Sequence, residues 1–118
     1  SDPDWLVTLI KKVNSKKLWI LGDFTNWKLT DNPKTFFPDA YKGFQIMSPY
    51  IRFVSAKSEK FNINGEEINT NYNKMFKILK NCPQLECIGV EFFGNEITRK
   101  KGISQTKNLI ENSLSTIF

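Results

Sequence analysis

Apolar residues keep helical spacing at the two ends of this chain and lose it in between, and that change of period restricts the fold more than any other feature. Near the start, Leu6, Leu9, Ile10 and Val13 recur every three or four residues, the spacing that lines one buried helix face. Asp2, Pro3 and Asp4 precede them as an N-cap, a first-turn proline and an acid suited to the positive end of the helix dipole. Lys11 and Lys12 fall near the other end, where cations are favoured, so a helix is predicted to run to about Asn14. At the far end Ile103, Thr106, Ile110, Leu114 and Ile117 share one face, which predicts a closing amphipathic helix from Ile103 to Phe118.

The middle of the chain reads as strands. Lys17 to Leu21 is a short apolar run ended by Gly22. Lys28 to Gly43, broken by Pro33, Pro38 and Asp31-Asn32, reads as a long loop holding Phe36-Phe37. Strand character resumes at Gly43–Met47 and Tyr50–Val54, on either side of Pro49, and Asn64-Gly65 is a hairpin signal. From Tyr72 to Lys80 two periods compete: Met75, Phe76, Ile78 and Leu79 suit a helix face, whereas Phe76 and Ile78 set against Lys77 and Lys80 suit a half-exposed strand. The turn-like Asn81-Cys82-Pro83-Gln84 and the apolar run Leu85–Phe92 favour the strand, giving an antiparallel hairpin from Tyr72 to Phe92 packed on the last helix. No internal repeat and no low-complexity tract stands out. With 118 residues, the expectation is a single α+β domain spanning 1–118, an antiparallel β-sheet packed against N-terminal and C-terminal helices.

Composition removes whole classes of function. Histidine is absent, so a His-ligated zinc site, a His general base and the Ser-His-Asp and Cys-His arrangements are impossible within the chain. Cys82 and Cys87 are the only cysteines, too few for a four-thiolate metal site. Two cysteines are also fewer than small secreted scaffolds usually carry, which points to free thiols in a reducing, intracellular setting. No apolar run approaches the roughly 18 residues of a membrane span. Ser1-Asp2-Pro3-Asp4 is acidic where a secretory leader is basic, and the sequence reads as a piece of a longer protein. Glu66-Glu67 are neighbours that strand geometry sends to opposite faces, and the scattered glycines form no phosphate loop. Neither a catalytic residue, a metal site nor a cofactor is expected.

Seventeen Lys and Arg against twelve Asp and Glu leave a net charge of +5, which favours an anionic partner. The cations cluster as Lys11, Lys12, Lys16 and Lys17; as Lys74, Lys77 and Lys80; and as Arg99, Lys100, Lys101 and Lys107. Arg99-Lys100-Lys101 is read as a loop before the last helix, with Glu96 alone nearby to pair. Single-stranded nucleic acid is not expected, because its readers need aromatics exposed beside the cations and the aromatics here lie in core-like runs. Gly22-Asp23-Phe24-Thr25-Asn26-Trp27 is similar to the sugar-stacking turn of starch- and glycogen-binding modules, with Trp19 as a second platform. The alternative reading of both tryptophans is that they fill the core.

In the C-terminal half, Met75-Phe76-Lys77-Ile78, Cys82-Pro83-Gln84-Leu85, Ile88-Gly89-Val90-Glu91-Phe92, Arg99-Lys100-Lys101-Gly102 and the final helix follow one another. In that order they resemble the kinase-associated-1 domain at the C-terminus of microtubule-affinity-regulating kinases and fungal septin-associated bud-neck Ser/Thr kinases. The resemblance covers about residues 72–118, and Phe93–Thr98 lengthens the loop relative to the family. It implies a non-catalytic module that binds acidic phospholipids such as phosphatidylserine and phosphoinositides. Further implied partners are the kinase domain of the same chain and septins, at a cytoplasmic site peripheral to the plasma membrane such as the bud neck. Carried over by position, Arg99, Lys100 and Lys101 are its lipid contacts; Lys11, Lys12, Lys16 and Lys17 form a second candidate cluster on charge alone. A carbohydrate-binding module using Trp27 and a protein-interaction domain are the alternatives.

Overall fold

A computed structural model describes residues 2–26 and 39–118 of the chain. Helix α1 (Pro3–Val13) leads to strand β1 (Ile20–Asp23). Helix α2 (Ala40–Met47) and the 3-10 turn Ser48–Tyr50 lead to β2 (Ile51–Ser58), α3 (Tyr72–Leu79) to β3 (Cys87–Phe92), and α4 (Arg99–Ile117) closes the order. The class is α+β, with helices before and after the sheet. The expected antiparallel sheet is corrected: the strands lie in the order β1-β2-β3 and both pairings are parallel. Parallel neighbours cannot be joined by a tight turn, so a helix intervenes between successive strands.

Two stretches read as strands are therefore helices. Gly43–Met47 belongs to α2, where Ala40, Gly43, Phe44 and Met47 are buried at helical spacing. Tyr72–Leu79 is α3, with Tyr72, Met75, Phe76, Ile78 and Leu79 buried. The hairpin from Tyr72 to Phe92, which carried much of the family resemblance, is thus a helix, a turn and a parallel strand. The Asn64-Gly65 signal does mark a turn: Gly65 has φ +78°, and Phe61 and Glu67 form an isolated antiparallel bridge around it. The buried Glu67 carboxylate accepts the backbone N–H groups of Glu59, Lys60 and Thr70, which fixes this connector. Of the long loop expected over 28–43, residues 28–38 lie outside the described residues.

The structure also reveals a repetition that the sequence conceals. Each helix opens on a side-chain cap, from Asp2, Asp39, Asn71 and Thr98, that accepts backbone N–H groups of the first turn. The fourth and eighth residues after each cap turn inward: Leu6 and Ile10, Gly43 and Met47, Met75 and Leu79, Gly102 and Thr106. Strand register aligns Val54 with Ile88 and Ala56 with Val90. That alignment sets Ser48-Pro49-Tyr50-Ile51 against Cys82-Pro83-Gln84-Leu85. The described residues form a row of three helix–strand units and a fourth helix, in which helices touch their neighbours in the row. Such rows are quasi-one-dimensional, and the molecule is correspondingly flat, 44 × 34 × 21 Å.

Helices α2, α3 and α4 share one core with the inner sheet face. Tyr72 donates its hydroxyl to the carbonyls of Ala56 and Lys57 at 3.0 and 3.1 Å, tying α3 to β2. Buried Thr106 donates to the Gly102 carbonyl, which leaves its oxygen to accept from Ser58 and ties α4 to the same strand. Of the apolar residues assigned to the last helix's inner face, Ile110 is buried and Leu114 and Ile117 are partly so, whereas Ile103 is 49% exposed. No described strand follows β3, so nothing covers that side of α4. Gly102 takes the close contact instead, its backbone lying on the Phe92 ring.

Gly102→Ala places a methyl group into that ring and is expected to lower stability by about 1–3 kcal/mol, the usual cost of overpacking. Ile103→Ala should cost well under 1 kcal/mol. Urea denaturation of the two variants checks the difference.

Candidate functional site

With the described helices gathered on one side, the other face of the sheet is left uncovered by any described element. Alternation along β2 sends Phe53, Ser55 and Lys57 outward, and the register lays their neighbours beside them in rows. Leu21 and Cys87 flank Phe53; Asp23 and Gly89 flank Ser55; Glu91 flanks Lys57. Leu21 is 59% and Phe53 43% exposed. Phe93, just past β3, is also exposed, and the Lys57 ammonium stands 5.5 Å from its ring centroid.

At the carboxyl end of the strands this face carries an ion network. Lys57 Nζ lies 2.9 Å from Asp23 Oδ2 and 3.1 Å from Glu91 Oε1, and Ser55 donates to the other Glu91 oxygen. Asp23 Oδ1 accepts from the Thr25 amide and hydroxyl, so both of its oxygens are used. Burial opposes the charge on Lys57, but hydrogen bonds to Asp23 and Glu91 outweigh it and hold its pKa above the ordinary lysine value. At the amino end of the strands Arg52 Nη2 meets Glu86 at 2.6 Å. That hydrogen bond raises the arginine and lowers the carboxylate. The same guanidinium lies 5.4 Å over the Trp19 ring, and the Trp19 N–H donates to the Lys16 carbonyl at 3.0 Å. Arg52 thus occupies one side of the Trp19 ring, and Trp27 lies outside the described residues.

The predicted cationic residues are all exposed, but they do not form one site. Lys11 and Lys12 occupy the last turn of α1, and Lys16 and Lys17 the turn that follows, at the amino end of the strands. Arg99, Lys100 and Lys101 are not in a loop: they form the first turn of α4, at the carboxyl end and on the last helix of the row. A helix of eleven residues is roughly 16 Å long, and neighbouring helix axes stand about 8–10 Å apart. The clusters are therefore separated by well over a Debye length, about 10 Å at 0.1 M salt, so they form no single local site and only a broad flat surface touches both.

The fold instead brings together cations that lie far apart in sequence. Lys42, Lys74 and Lys101 are each the third residue after a helix cap, opposite the buried fourth and eighth, and Lys12 and Lys77 share that outward orientation. Lys74 Nζ also rests 4.1 Å from the Tyr41 ring centroid. The described helices contain two acids besides these cations, Asp4 and Glu111, and Glu111 is paired with Lys107. The broad helical face is thus basic. Lys42 escaped the sequence reading because its segment was read as loop and strand; its position after Asp39 was the available signal.

Among the described residues no group of three Cys, Asp or Glu side chains is placed to hold a metal ion, and no helix is long and apolar enough to cross a membrane. Cys82 and Cys87 are free thiols, and burial pushes the Cys82 thiol up to about 11. The chain matches no protein-family model, and no curated protein matches it.

Lys57→Met leaves the Asp23 carboxylate buried without its cation and is expected to cost about 3 kcal/mol, with Asp23→Asn in the same chain restoring part of the loss. Since the folded pKa of Lys57 is raised, its contribution is complete below the unfolded value of about 10.4. It disappears only as pH rises through the folded value, so urea midpoints of wild type and variant should converge in strong alkali and not near neutrality. A thiol reagent at pH 8 should modify Cys87 promptly, and Cys82 only on unfolding, as read by mass spectrometry.

Proposed function

We propose that this protein is a non-catalytic binding scaffold whose partner is another protein seated on the open face of the sheet. The observation that carries the reading is that uncovered face, where Leu21, Phe53 and Phe93 stand exposed around the Asp23–Lys57–Glu91 network. Exposed apolar groups gathered beside polar ones mark interaction sites more often than chance surface, and aromatic anchors dominate the energy of protein interfaces. Three hydrogen-bonded strands present these groups on a rigid base, so little ordering cost is added on binding. A complementary partner offers an apolar anchor to Leu21 and Phe53 and a basic group to Glu91, whose side chain remains 44% exposed.

A second reading rests on a different face. The basic helical layer supports contact with acidic phospholipid, phosphatidylserine or phosphoinositide, in keeping with the charge of the chain. Arg99, Lys100 and Lys101 strengthen it, because cations in a first helical turn oppose the dipole by about 0.3–1 kcal/mol each and so are not placed there for stability. At roughly 1 kcal/mol per lysine, the five outward residues Lys12, Lys42, Lys74, Lys77 and Lys101 provide about 5 kcal/mol, a Kd of roughly 0.2 mM.

A photo-crosslinking side chain at Phe53, introduced into the chain in its own cells, should yield a discrete protein adduct that Leu21→Ser weakens at least tenfold without changing the melting temperature. Adducts formed from Lys77 and not from Phe53 would overturn the first reading. For the second, sedimentation with phosphatidylserine vesicles should fall at least tenfold when Lys12, Lys42, Lys77 and Lys101 are all changed to Gln, and should weaken with salt. Equal sedimentation with phosphatidylcholine vesicles would remove it.

A further inference from the structure

We infer that the bare side of α1, with the free edge of β1, is the seat of a further helix–strand unit of the same build. The inference is independent of either binding reading and rests on how the helices meet. Tyr41, the second residue after its cap in α2, accepts the Asn71 amide with its hydroxyl at 2.9 Å and carries Lys74 against its ring. Asn73, the second after the cap in α3, accepts from Ser113 of α4 at 3.5 Å. That side of each helix therefore faces the next one in the row. The opposite side, at the seventh and eleventh residues, faces the preceding helix: Ile78 shares a cleft with Gln45 of α2 and its C-cap Ser48, and Leu109 one with Tyr72 and Asn73 of α3.

In α1 the same two positions are Leu9 and Val13, and no described element covers them. Val13 is 50% exposed, Leu9 is exposed too, and Trp5 extends the stripe at 55%. This corrects the sequence expectation that Leu9 and Val13 belong to a buried face. They are apolar like Ile78, which is buried, and Leu109, which is partly buried, each beside the preceding helix. Beside them β1 pairs, among the described strands, with β2 alone and offers its other edge, and unpaired strand edges are templates for another strand.

The occupant is set by continuity with the two helix interfaces already formed. It is a helix presenting groups like Tyr41 and Gln45 of α2 and its C-cap Ser48, followed by a strand parallel to β1. A second copy joined head to tail does not fit. The described row has four helices and three strands, so seating α4 of one copy against α1 of another leaves β3 and β1 two strand spacings apart. The far side of α4 is also charged, with Lys100 and the Lys107–Glu111 pair.

The test joins a copy of residues 39–70 ahead of Asp2, so that its connector enters α1 as it enters α3. Trp19 and Trp27 are changed to Phe in this chain and in the parent, leaving Trp5 as the reporter. Acrylamide quenching of Trp5 is expected to fall at least threefold, its emission to shift to the blue, and the β1 amides to gain protection from exchange. Leu9→Lys with Val13→Lys should abolish all three changes in the extended chain while leaving the parent chain folded. Unchanged quenching and unchanged β1 exchange overturn the inference, as does a parent chain that sediments as a dimer with Trp5 already protected, which would assign the face to a second copy.

Discussion

Phe24 is the contact on which the rest of this architecture depends. It follows β1, has no exposed surface, and meets Phe44, Tyr72 and Phe76 edge to face at centroid distances of 5.7, 5.2 and 6.3 Å. One ring thereby joins the first strand to both following helices, and Phe76 passes the contact on to Phe118 at the end of α4. Edge-to-face geometry suits the quadrupoles of the rings and adds about 0.5–1.5 kcal/mol per pair beyond burial. Because neighbouring units provide most other contacts in a row of this kind, an aromatic node spanning several of them makes the units one cooperative body rather than three separable ones.

The spacing between helices and sheet follows from the same need for close approach. Gly22 sits where a Cβ would stand 2.8 Å from the Phe44 ring, so the absence of a side chain lets α2 settle on β1. Gly102 does the same for α4 against Phe92. Between these contacts the buried hydroxyls of Tyr72, Ser58 and Thr106 satisfy one another or backbone carbonyls, and unmade hydrogen bonds, costly in a dry core, are avoided. With every described helix drawn to one side, no described element covers the other side of the sheet. The exposed Leu21 and Phe53 are a consequence of that one-sided packing, and the ion network beside them keeps the surface from being uniformly apolar.

The two broad faces consequently differ in chemistry. Cations occupy the outward positions of the helices, while most acids serve as helix caps, loop anchors or members of the sheet network. Asp2 and Asp39 accept first-turn amides, Glu67 organises the connector after β2, and Asp23, Glu86 and Glu91 pair across strands. A carboxylate is the better acceptor for backbone N–H groups, and a lysine held at an exposed helix position is the more easily solvated. Local structural duties thus withdraw the negative charge and leave the positive charge outside.

Several parts of this protein were determined by the sequence alone. Asp2-Pro3 and the cations at Lys11 and Lys12 specified α1, and the closing amphipathic period specified most of α4. The apolar runs at Ile20 and Ile51 marked two strands, and the missing histidines excluded whole classes of chemistry. These are local matters of capping, periodicity and side-chain inventory. The direction of the strands, the repeat and the exposed faces belonged to the tertiary structure. Phe76-Lys77-Ile78 suits a helix or a strand until Tyr72 and Leu79 are seen to be buried together with them. The repeat escapes inspection because its units share burial and not residue type: Gly43 stands where Met75 stands, Ala56 where Val90 stands, and the turn after α3 is two residues longer than that after α2. Whether Leu9 and Val13 are core or surface is set by the neighbour a helix receives. Charges such as Lys42 and Lys101 become one surface only when parallel packing brings equivalent positions side by side, because periodicity fixes which way a residue points within its own helix and says nothing about what lies across from it.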